Sequence, residues 1–144
     1  DYIEAMQKVW SGEIVDHDGD FIKWKNFKSF PLPVQKPHPP LIIGGTSKAA
    51  LKRVAKYGSG WIIPSRNLAD MRESITRLHT VLAEEKRDPN SVEITGMWDP
   101  KKEPDAIAEY TDMGVDRLLV PIHRLGPDPT QGLDTLRETL VSEI

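Results

Sequence analysis

The chain has 144 residues, of which 38% are hydrophobic and 28% charged, a composition that fits one soluble globular domain and argues against a disordered or fibrous protein. Its 19 basic and 22 acidic residues give a net charge of −3, and no run of Lys or Arg exceeds two, so we expect no nucleic-acid partner. The sequence has no cysteine for disulfide or thiolate chemistry, and its apolar stretches of about five residues fall far short of the ~20 that cross a bilayer, so we expect a soluble, cytoplasmic protein without a membrane partner.

The first 40 residues predict a helix, a hairpin and an extended connector. Apolar residues recur at helical spacing in residues 1–12, and because the pattern begins without a cap we interpret it as the end of a helix in a larger fold. Asp18-Gly19 lies between two β-compatible segments and predicts a β-hairpin. Five prolines between residues 31 and 40 then exclude a helix and predict an extended connector.

From residue 41 onward, short apolar runs alternate with helical patterns, which is typical of βα units with buried parallel strands. The runs are Leu41-Ile42-Ile43, Trp61-Ile62-Ile63, Val92-Glu93-Ile94-Thr95 and Leu118-Leu119-Val120. This repeat fits either a (β/α)8 barrel or a doubly wound sheet. Because a complete barrel takes about 250 residues and eight strands, the barrel interpretation makes this segment half of one.

The helical patterns between these runs have apolar faces and punctuation of their own. Residues at core spacing are Leu51, Val54, Ala55, Leu68, Met71, Ile75, Leu78, Leu82, Ile107, Ala108, Leu133, Leu136 and Leu140. Ser47 fits the N-cap of the first of these helices and Pro104 the first turn of the third, and Gly58 and Gly114 fit helix ends.

Gly44, Gly45, Thr46 and Ser47, here called the glycine loop, follow the first predicted strand and open a helix. Backbone N–H groups and the helix dipole converge at such a point, so it suits a phosphate group. Glycine also lets the backbone approach a ligand closely. The alternative is an ordinary tight turn, which needs glycine for its own geometry.

Polar residues also follow the other strands at the same predicted edge of the sheet. Arg66, next to Ser65, is a candidate partner for a phosphate or an acidic tail, since ligands of this architecture bind at the carboxyl ends of strands. The alternative is that Ser65 or Asn67 caps the following helix while Arg66 is solvated. For His123 and Arg124 we favour an ordinary exposed loop.

Other conspicuous residues predict packing rather than chemistry. We interpret Trp61 as core and Trp98, at the end of the third strand, as packing rather than as the wall of a ligand pocket. The acidic residues 16–20 do not begin an EF-hand loop, because Phe21 stands at the position of its glycine and Phe27 at that of its bidentate Glu. The four histidines are scattered, so we predict no metal site. The sequence has neither a nucleophile elbow nor a P-loop, which argues against hydrolases and P-loop NTPases.

One long block carries a resemblance to a known family. Residues 31–47 (Pro-Leu-Pro-Val-Gln-Lys-Pro-His-Pro-Pro-Leu-Ile-Ile-Gly-Gly-Thr-Ser) and 53–61 (Arg-Val-Ala-Lys-Tyr-Gly-Ser-Gly-Trp) closely resemble the bacterial luciferase-like monooxygenase superfamily, most of all its branch that uses the deazaflavin coenzyme F-420. The similarity continues in residues 2–5, 10–13, 18–21 and 113–118. Ser59 replaces the acidic residue that the family usually has there, but it lies in a predicted turn away from the chemistry.

The resemblance implies that residues 1–144 are the C-terminal half of a (β/α)8 TIM barrel, an α/β fold. Residues 1–12 then end a barrel helix, 13–40 form the hairpin insertion and proline-rich connector, and 41–144 form the last four βα units. It also implies an oxidoreductase or monooxygenase that uses coenzyme F-420, or alternatively FMN, for hydride transfer or oxygen activation on a small organic substrate. The cofactor-binding residues are then the glycine loop, Ser65 and Arg66.

The catalytic residues of the family lie in its first four strands, so we expect the 144-residue chain alone to be inactive. Two other functions stay open. One is a non-catalytic half-barrel that binds a phosphate-bearing ligand or a partner chain, and the other is a phosphate-handling barrel enzyme without a flavin. Because half a barrel leaves one sheet face and two strand edges uncovered, we also expect a homo-oligomer.

Overall fold

The computed structural model describes residues 1–65 and 67–141 of the chain. The chain divides into two compact units, Asp1–Leu41 and Ile42–Ile144. The helices within the described residues include none that is both long and apolar enough to span a membrane.

The first unit combines one helix with a two-stranded antiparallel hairpin: α1 (Tyr2–Trp10), β1 (Val15–Asp18) and β2 (Lys23–Phe27). The predicted hairpin is present, but its turn covers residues 19–22 rather than two residues. The Asp1 carboxylate explains the longer turn. Its Oδ2 accepts hydrogen bonds from the N–H groups of Phe21 (2.6 Å) and Ile22 (3.0 Å), which therefore do not join the strand ladder.

The proline-rich segment has neither helix nor strand in residues 30–40, as its prolines predict. His38 ties this segment to α1. The Gln7 side-chain amide donates to His38 Nε2 at 3.1 Å, and the His38 ring lies 5.7 Å from that of Trp10.

The second unit alternates strands and helices from end to end: β3 (Ile42–Gly44), α2 (Lys48–Tyr57), β4 (Gly60–Ile62), α3 (Leu68–Glu84), β5 (Glu93–Met97), α4 (Ile107–Asp112), β6 (Arg117–Leu119) and α5 (Pro129–Val141). Short 3-10 turns at Pro89–Ser91 and Ile122–Arg124 complete it. The four predicted βα units are all present, and every strand pair is parallel.

The strand order decides between the two architectures that the sequence left open. The order is β3-β4-β5-β6, the same as in the chain, so each crossover moves one strand in the same direction. With right-handed crossovers, all helices then lie on one face of the sheet, whereas a doubly wound sheet reverses direction and covers both faces. The unit therefore has the arrangement of four consecutive βα units of a barrel.

The hydrophobic core lies between the sheet and its helices, and residues from α2, α3, α4 and α5 all contribute to it. Trp61 is fully buried there, as predicted. The prediction of a core position is wrong for two residues. Ala108 is exposed, because α4 places Tyr110 in the core instead. Leu133 is 55% exposed, because α5 packs against the core through Leu136 and Leu140.

The opposite face of the same sheet, here called the open face, carries none of the helices that the structure describes in this second unit. Ile42 and Leu119 on this face are 47% and 40% exposed, although both are apolar strand residues. Arg117 crosses from β6 to β5 and forms an ion pair with Glu93 at 2.9 Å. In a complete barrel this face would point toward the barrel axis.

Helix ends are fixed largely as the sequence indicates. Ser47 caps α2, and Gly114 follows α4 with a φ of 77°. Pro104 is the exception, since it lies in a turn before α4 rather than in its first turn. At the far end of α2, the Arg87 guanidinium donates to the carbonyls of Val54, Ala55 and Gly58, the last at 2.7 Å.

Candidate functional site

The carboxyl ends of the four parallel strands meet at one edge of the sheet. The loops after β3, β4, β5 and β6 all begin there. They contain the candidate site residues that the structure describes, except Gly44, which is the last residue of β3. In parallel α/β folds this edge is where ligands bind. The glycine loop begins at the last residue of β3, and Ser65 follows the neighbouring strand β4.

The two glycines of the glycine loop have different structural roles. Gly45 has a φ of 103°, a conformation that side chains rarely adopt, so glycine is needed there to make the turn. Gly44 has an ordinary φ, and a Cβ added to it would meet only Ile62 Cγ2, at 3.3 Å. Gly44 is exposed on the open face of the sheet, so its missing side chain leaves room for a ligand to approach the backbone.

Ser47 ends the glycine loop and caps helix α2. Its Oγ accepts a hydrogen bond from the N–H of Ala50 at 3.2 Å. This capping was predicted, and it fixes where the helix begins. The positive end of the α2 dipole therefore faces the same edge of the sheet as the glycine loop.

Two side chains hold the carbonyl groups of the glycine loop. The indole Nε1–H of Trp61, from β4, donates to the Gly45 carbonyl at 2.8 Å. The guanidinium of Arg77, from α3, donates to the Thr46 carbonyl at 3.0 Å. Both donors come from the helix-covered side of the sheet, since Trp61 lies in the core and α3 packs over it.

These two bonds set the direction of the next two N–H groups. A trans peptide unit is planar, with the carbonyl of one residue and the N–H of the following residue pointing in opposite directions. The N–H groups of Thr46 and Ser47 therefore point away from Trp61 and Arg77. Neither N–H donates to another group within the described residues, so both are available to an anion at this edge.

The loop after β4 is arranged mainly as a helix start. Ser65 Oγ accepts from the N–H of Asn67 at 3.2 Å, and Asn67 Oδ1 in turn accepts from Ala69 and Asp70 and caps α3. Asn67 is thus the cap that the sequence offered as one alternative. Ser65 is half-buried beside this cap, and Arg66 lies outside the described residues.

A cavity of about 330 Å³ lies between the loops after β5 and β6 and helix α5. Its walls include Trp98, Lys101 and Arg124. Trp98 is only 4% exposed, so it is mainly packing, as predicted, although one part of it borders the cavity. Arg124 is no ordinary exposed loop residue, because it forms an ion pair with the buried Asp99 at 3.0 Å and so links the two loops.

Tyr110 connects this edge of the sheet to the core. Its hydroxyl donates to the Met97 carbonyl at the end of β5, at 3.1 Å, and the ring is 1% exposed. Burial, reinforced by the negative charge of Glu103, raises the pKa of Tyr110 to about 12. Tyr110 is therefore a neutral hydrogen-bond donor at physiological pH and does not act as a base.

Sequence reasoning found the glycine loop but missed the two side chains that hold it. Trp61 was expected only in the core, and Arg77 was not singled out. The one available signal for Trp61 was chemical, because a buried indole N–H needs an acceptor. Within residues 1–65 and 67–141, no cluster of three metal-ligating side chains is present.

Comparison with known proteins identifies the family. The family model for luciferase-like monooxygenases matches residues 1–98. An uncharacterised protein of Mycobacterium tuberculosis is 35% identical over 123 residues, which cover 83% of this chain and 41% of that protein. An FMNH2-dependent dimethylsulfone monooxygenase of Pseudomonas putida is 31% identical over 67 residues, or 46% of this chain and 18% of the enzyme. The chain thus spans about two fifths of the mycobacterial relative.

A solved structure supports the fold. The coenzyme F420-dependent tetrahydromethanopterin reductase of Methanopyrus kandleri superposes on 97% of this chain with a TM-score of 0.77, at 11% identity and over 61% of its own length. An identity this low speaks for the fold alone, and it confirms the predicted α/β class with half of a barrel. On the extent of the family match, the chain belongs to the luciferase-like monooxygenases.

Proposed function

We propose that the chain is the C-terminal half of a barrel oxidoreductase, and that its glycine loop binds the phosphate of a flavin-type coenzyme. The observation that carries the proposal is the pair of N–H groups on Thr46 and Ser47, which point away from the donors that hold Gly45 and Thr46. Backbone N–H groups at a helix start are well suited to a phosphate oxygen. Membership of the luciferase-like family supports the choice of a flavin-type coenzyme.

The residues of the glycine loop fit a phosphate group. Gly44 has no side chain on the open face of the sheet, so a phosphate can reach the backbone, and Gly45 makes the turn that presents the amides. Ser47 accepts one bond through Oγ as the helix cap, which leaves its hydroxyl hydrogen for a phosphate oxygen. Ser65 and Arg66, after the adjacent strand, are proposed as further coenzyme contacts.

The coenzyme, when bound, supplies the hydride transfer or the oxygen activation, and this chain supplies binding and orientation. By fixing the phosphate, the glycine loop anchors one end of the coenzyme at the carboxyl edge of the sheet. Anchoring a remote, non-reacting group is a way to position the reacting group against its substrate. The catalytic side chains are proposed to lie outside residues 1–144, and the substrate is a small organic molecule.

The coenzyme is proposed to be F-420, with FMN as the alternative. Both kinds occur among similar proteins, since the Methanopyrus kandleri reductase depends on F420 and the Pseudomonas putida enzyme on FMNH2. Both molecules carry a phosphate on the tail attached to the ring system, so the proposed role of the glycine loop is the same for either. An absorption spectrum of the intact purified protein distinguishes the two coenzymes from each other and from a protein with none.

The role of the phosphate is tested by comparing ligands with and without it in the intact protein. We expect Gly44→Val to lower affinity for FMN, or for F-420, by at least about tenfold, because the new side chain keeps the phosphate from the N–H groups. Affinity for riboflavin, or for the deazaflavin ring without its phosphate tail, should change much less. Fluorescence titration measures each affinity.

Ile42→Val is the matched control for this experiment, because Ile42 lies on the same face of β3 but two residues away from the edge. Thermal unfolding checks that Gly44→Val still folds. Equal losses of affinity for the phosphorylated and the phosphate-free ligand would contradict the proposal, as would binding of neither ligand by the intact wild-type protein.

A further inference from the structure

We propose that Trp61 and Arg77 are positioning residues that make the glycine loop a phosphate site by holding its carbonyl groups turned away from the ligand. This inference rests on the proposed function. Both side chains come from other elements, and they orient the N–H groups of Thr46 and Ser47. The sequence of the glycine loop alone does not fix the direction of these N–H groups.

Trp61 is the stronger of the two anchors. It is fully buried in the core, so its ring cannot move without disturbing the packing around it. Burying an indole N–H without an acceptor costs free energy, and the Gly45 carbonyl is the acceptor here, at 2.8 Å. The bond therefore serves both partners: it satisfies Trp61 and fixes the peptide unit between Gly45 and Thr46.

Gly45 is the residue whose peptide units most need such an anchor. Its φ of 103° is open to glycine, but glycine also has the largest choice of other backbone conformations. Without the Trp61 bond, the Gly45–Thr46 peptide unit is free to rotate, and its N–H loses a fixed direction. Binding then pays the cost of ordering the loop, which weakens affinity without removing any ligand contact.

Arg77 anchors the next peptide unit from outside the core. Its side chain is exposed, and it donates to the Thr46 carbonyl at 3.0 Å. An exposed bond of this kind contributes little to the free energy of unfolding. Its effect on the direction of the Ser47 N–H should therefore be measurable as a change in ligand affinity without a comparable change in stability.

The test uses the intact protein and two ligand pairs, FMN with riboflavin and F-420 with its phosphate-free deazaflavin ring. For each variant the readout is the ratio of affinities for the phosphorylated and the phosphate-free member. We expect Trp61→Phe, which keeps a buried aromatic ring but loses the N–H, to lower this ratio by about five- to tenfold. We expect Arg77→Met to lower it by about threefold and Arg77→Lys to restore part of the loss.

Arg72→Met is the matched control, because Arg72 is an exposed arginine on the same helix whose side chain makes no bond to the glycine loop within the described residues. It should leave the ratio unchanged. Titrations at high salt separate positioning from simple attraction between Arg77 and the phosphate, since salt screens attraction between exposed charges. The loss caused by Arg77→Met should persist at high salt.

The outcomes separate this inference from the proposed function. If Gly44→Val lowers the ratio while Trp61→Phe and Arg77→Met leave it unchanged, the glycine loop binds phosphate but the positioning role is wrong. If Gly44→Val also leaves the ratio unchanged, both the phosphate site and the positioning role are wrong. Should Trp61→Phe fail to fold, the Arg77 variants and the salt series decide the question alone.

Discussion

The two faces of the four-stranded sheet differ sharply, although the same short strands build both. On the helix-covered face, Trp61 and Ile94 are nearly or fully buried and pack against side chains from four helices. On the other face, Ile42 and Leu119 keep 47% and 40% of their surface exposed. One face is packed into the core, and the other keeps apolar strand residues exposed.

This difference explains how the unit is stabilised, and it bears on where we propose that a ligand binds. The helix-covered face supplies the packing that holds the strands and, through Trp61, reaches up to the glycine loop. The open face carries Gly44, whose missing side chain leaves the backbone accessible. The proposed site thus lies where rigid packing on one face ends and an accessible surface on the other begins.

The largest effect is expected from removing packing on the helix-covered face. Leu78 on α3 is fully buried in the core, so Leu78→Ala should lower the free energy of unfolding by about 2 to 5 kcal/mol. The matched variant on the open face, Leu119→Ala, should cost less than about 1 kcal/mol because that side chain is already 40% exposed. Urea denaturation of both variants measures the two values, and similar losses would mean that the open face is covered in solution.

The success of the fold prediction and its errors have the same physical origin. Strand runs such as Leu41-Ile42-Ile43 and the capping residue Ser47 are local signals, and the structure has both a strand and a cap there. Ala108 and Leu133 were wrongly predicted to be buried, because α4 packs through Tyr110 and α5 through Leu136 and Leu140 instead. Which of several apolar residues turns inward is decided by the neighbouring elements.

In the candidate site, too, local features were predicted from the sequence and long-range contacts were missed. Gly44 and Gly45 were found because glycines between a strand and a helix form a local pattern. The anchors were missed because Trp61 and Arg77 lie 16 and 31 residues from the carbonyls that they hold. Contacts at such separations depend on the pairing of β3 with β4 and on the packing of α3, neither of which can be read from one sequence.

An intermediate effect on the free energy of unfolding is expected from Tyr110, whose hydroxyl is buried on the helix-covered face at the end of β5. Its pKa is raised in the folded protein to about 12 from the usual 10.0, so the unfolded chain loses the Tyr110 proton at a lower pH than the folded protein does. The stability that this group contributes is complete below pH 10 and is lost as the pH rises toward 12. The loss amounts to about 2 to 3 kcal/mol.

Tyr110→Phe isolates this contribution. At pH 8 the variant should be less stable by about 1 kcal/mol, because it loses the hydrogen bond to the Met97 carbonyl. Between pH 10 and 12 that deficit should shrink and then reverse, since Phe does not titrate while the other ionisable groups are shared. Chemical denaturation of both proteins along this pH range measures the difference, and a constant deficit would show that Tyr110 is solvated in the folded protein.

Substitutions on the open face are expected to have the smallest effect on stability but a large effect on association. We predict that the 144-residue chain by itself associates with a second copy at micromolar concentration, because an exposed apolar sheet face is seldom left uncovered in water and a two-fold contact places the same face on both copies. Ile42→Lys together with Leu119→Lys puts a charge on two side chains that are already 47% and 40% exposed, so the free energy of unfolding should change by less than about 1 kcal/mol. Light scattering should report a dimer or larger species for the wild-type chain and a monomer for the double variant. A monomeric wild-type chain that unfolds cooperatively would contradict this prediction. The two faces would then differ in exposure, but the exposed face would not drive association.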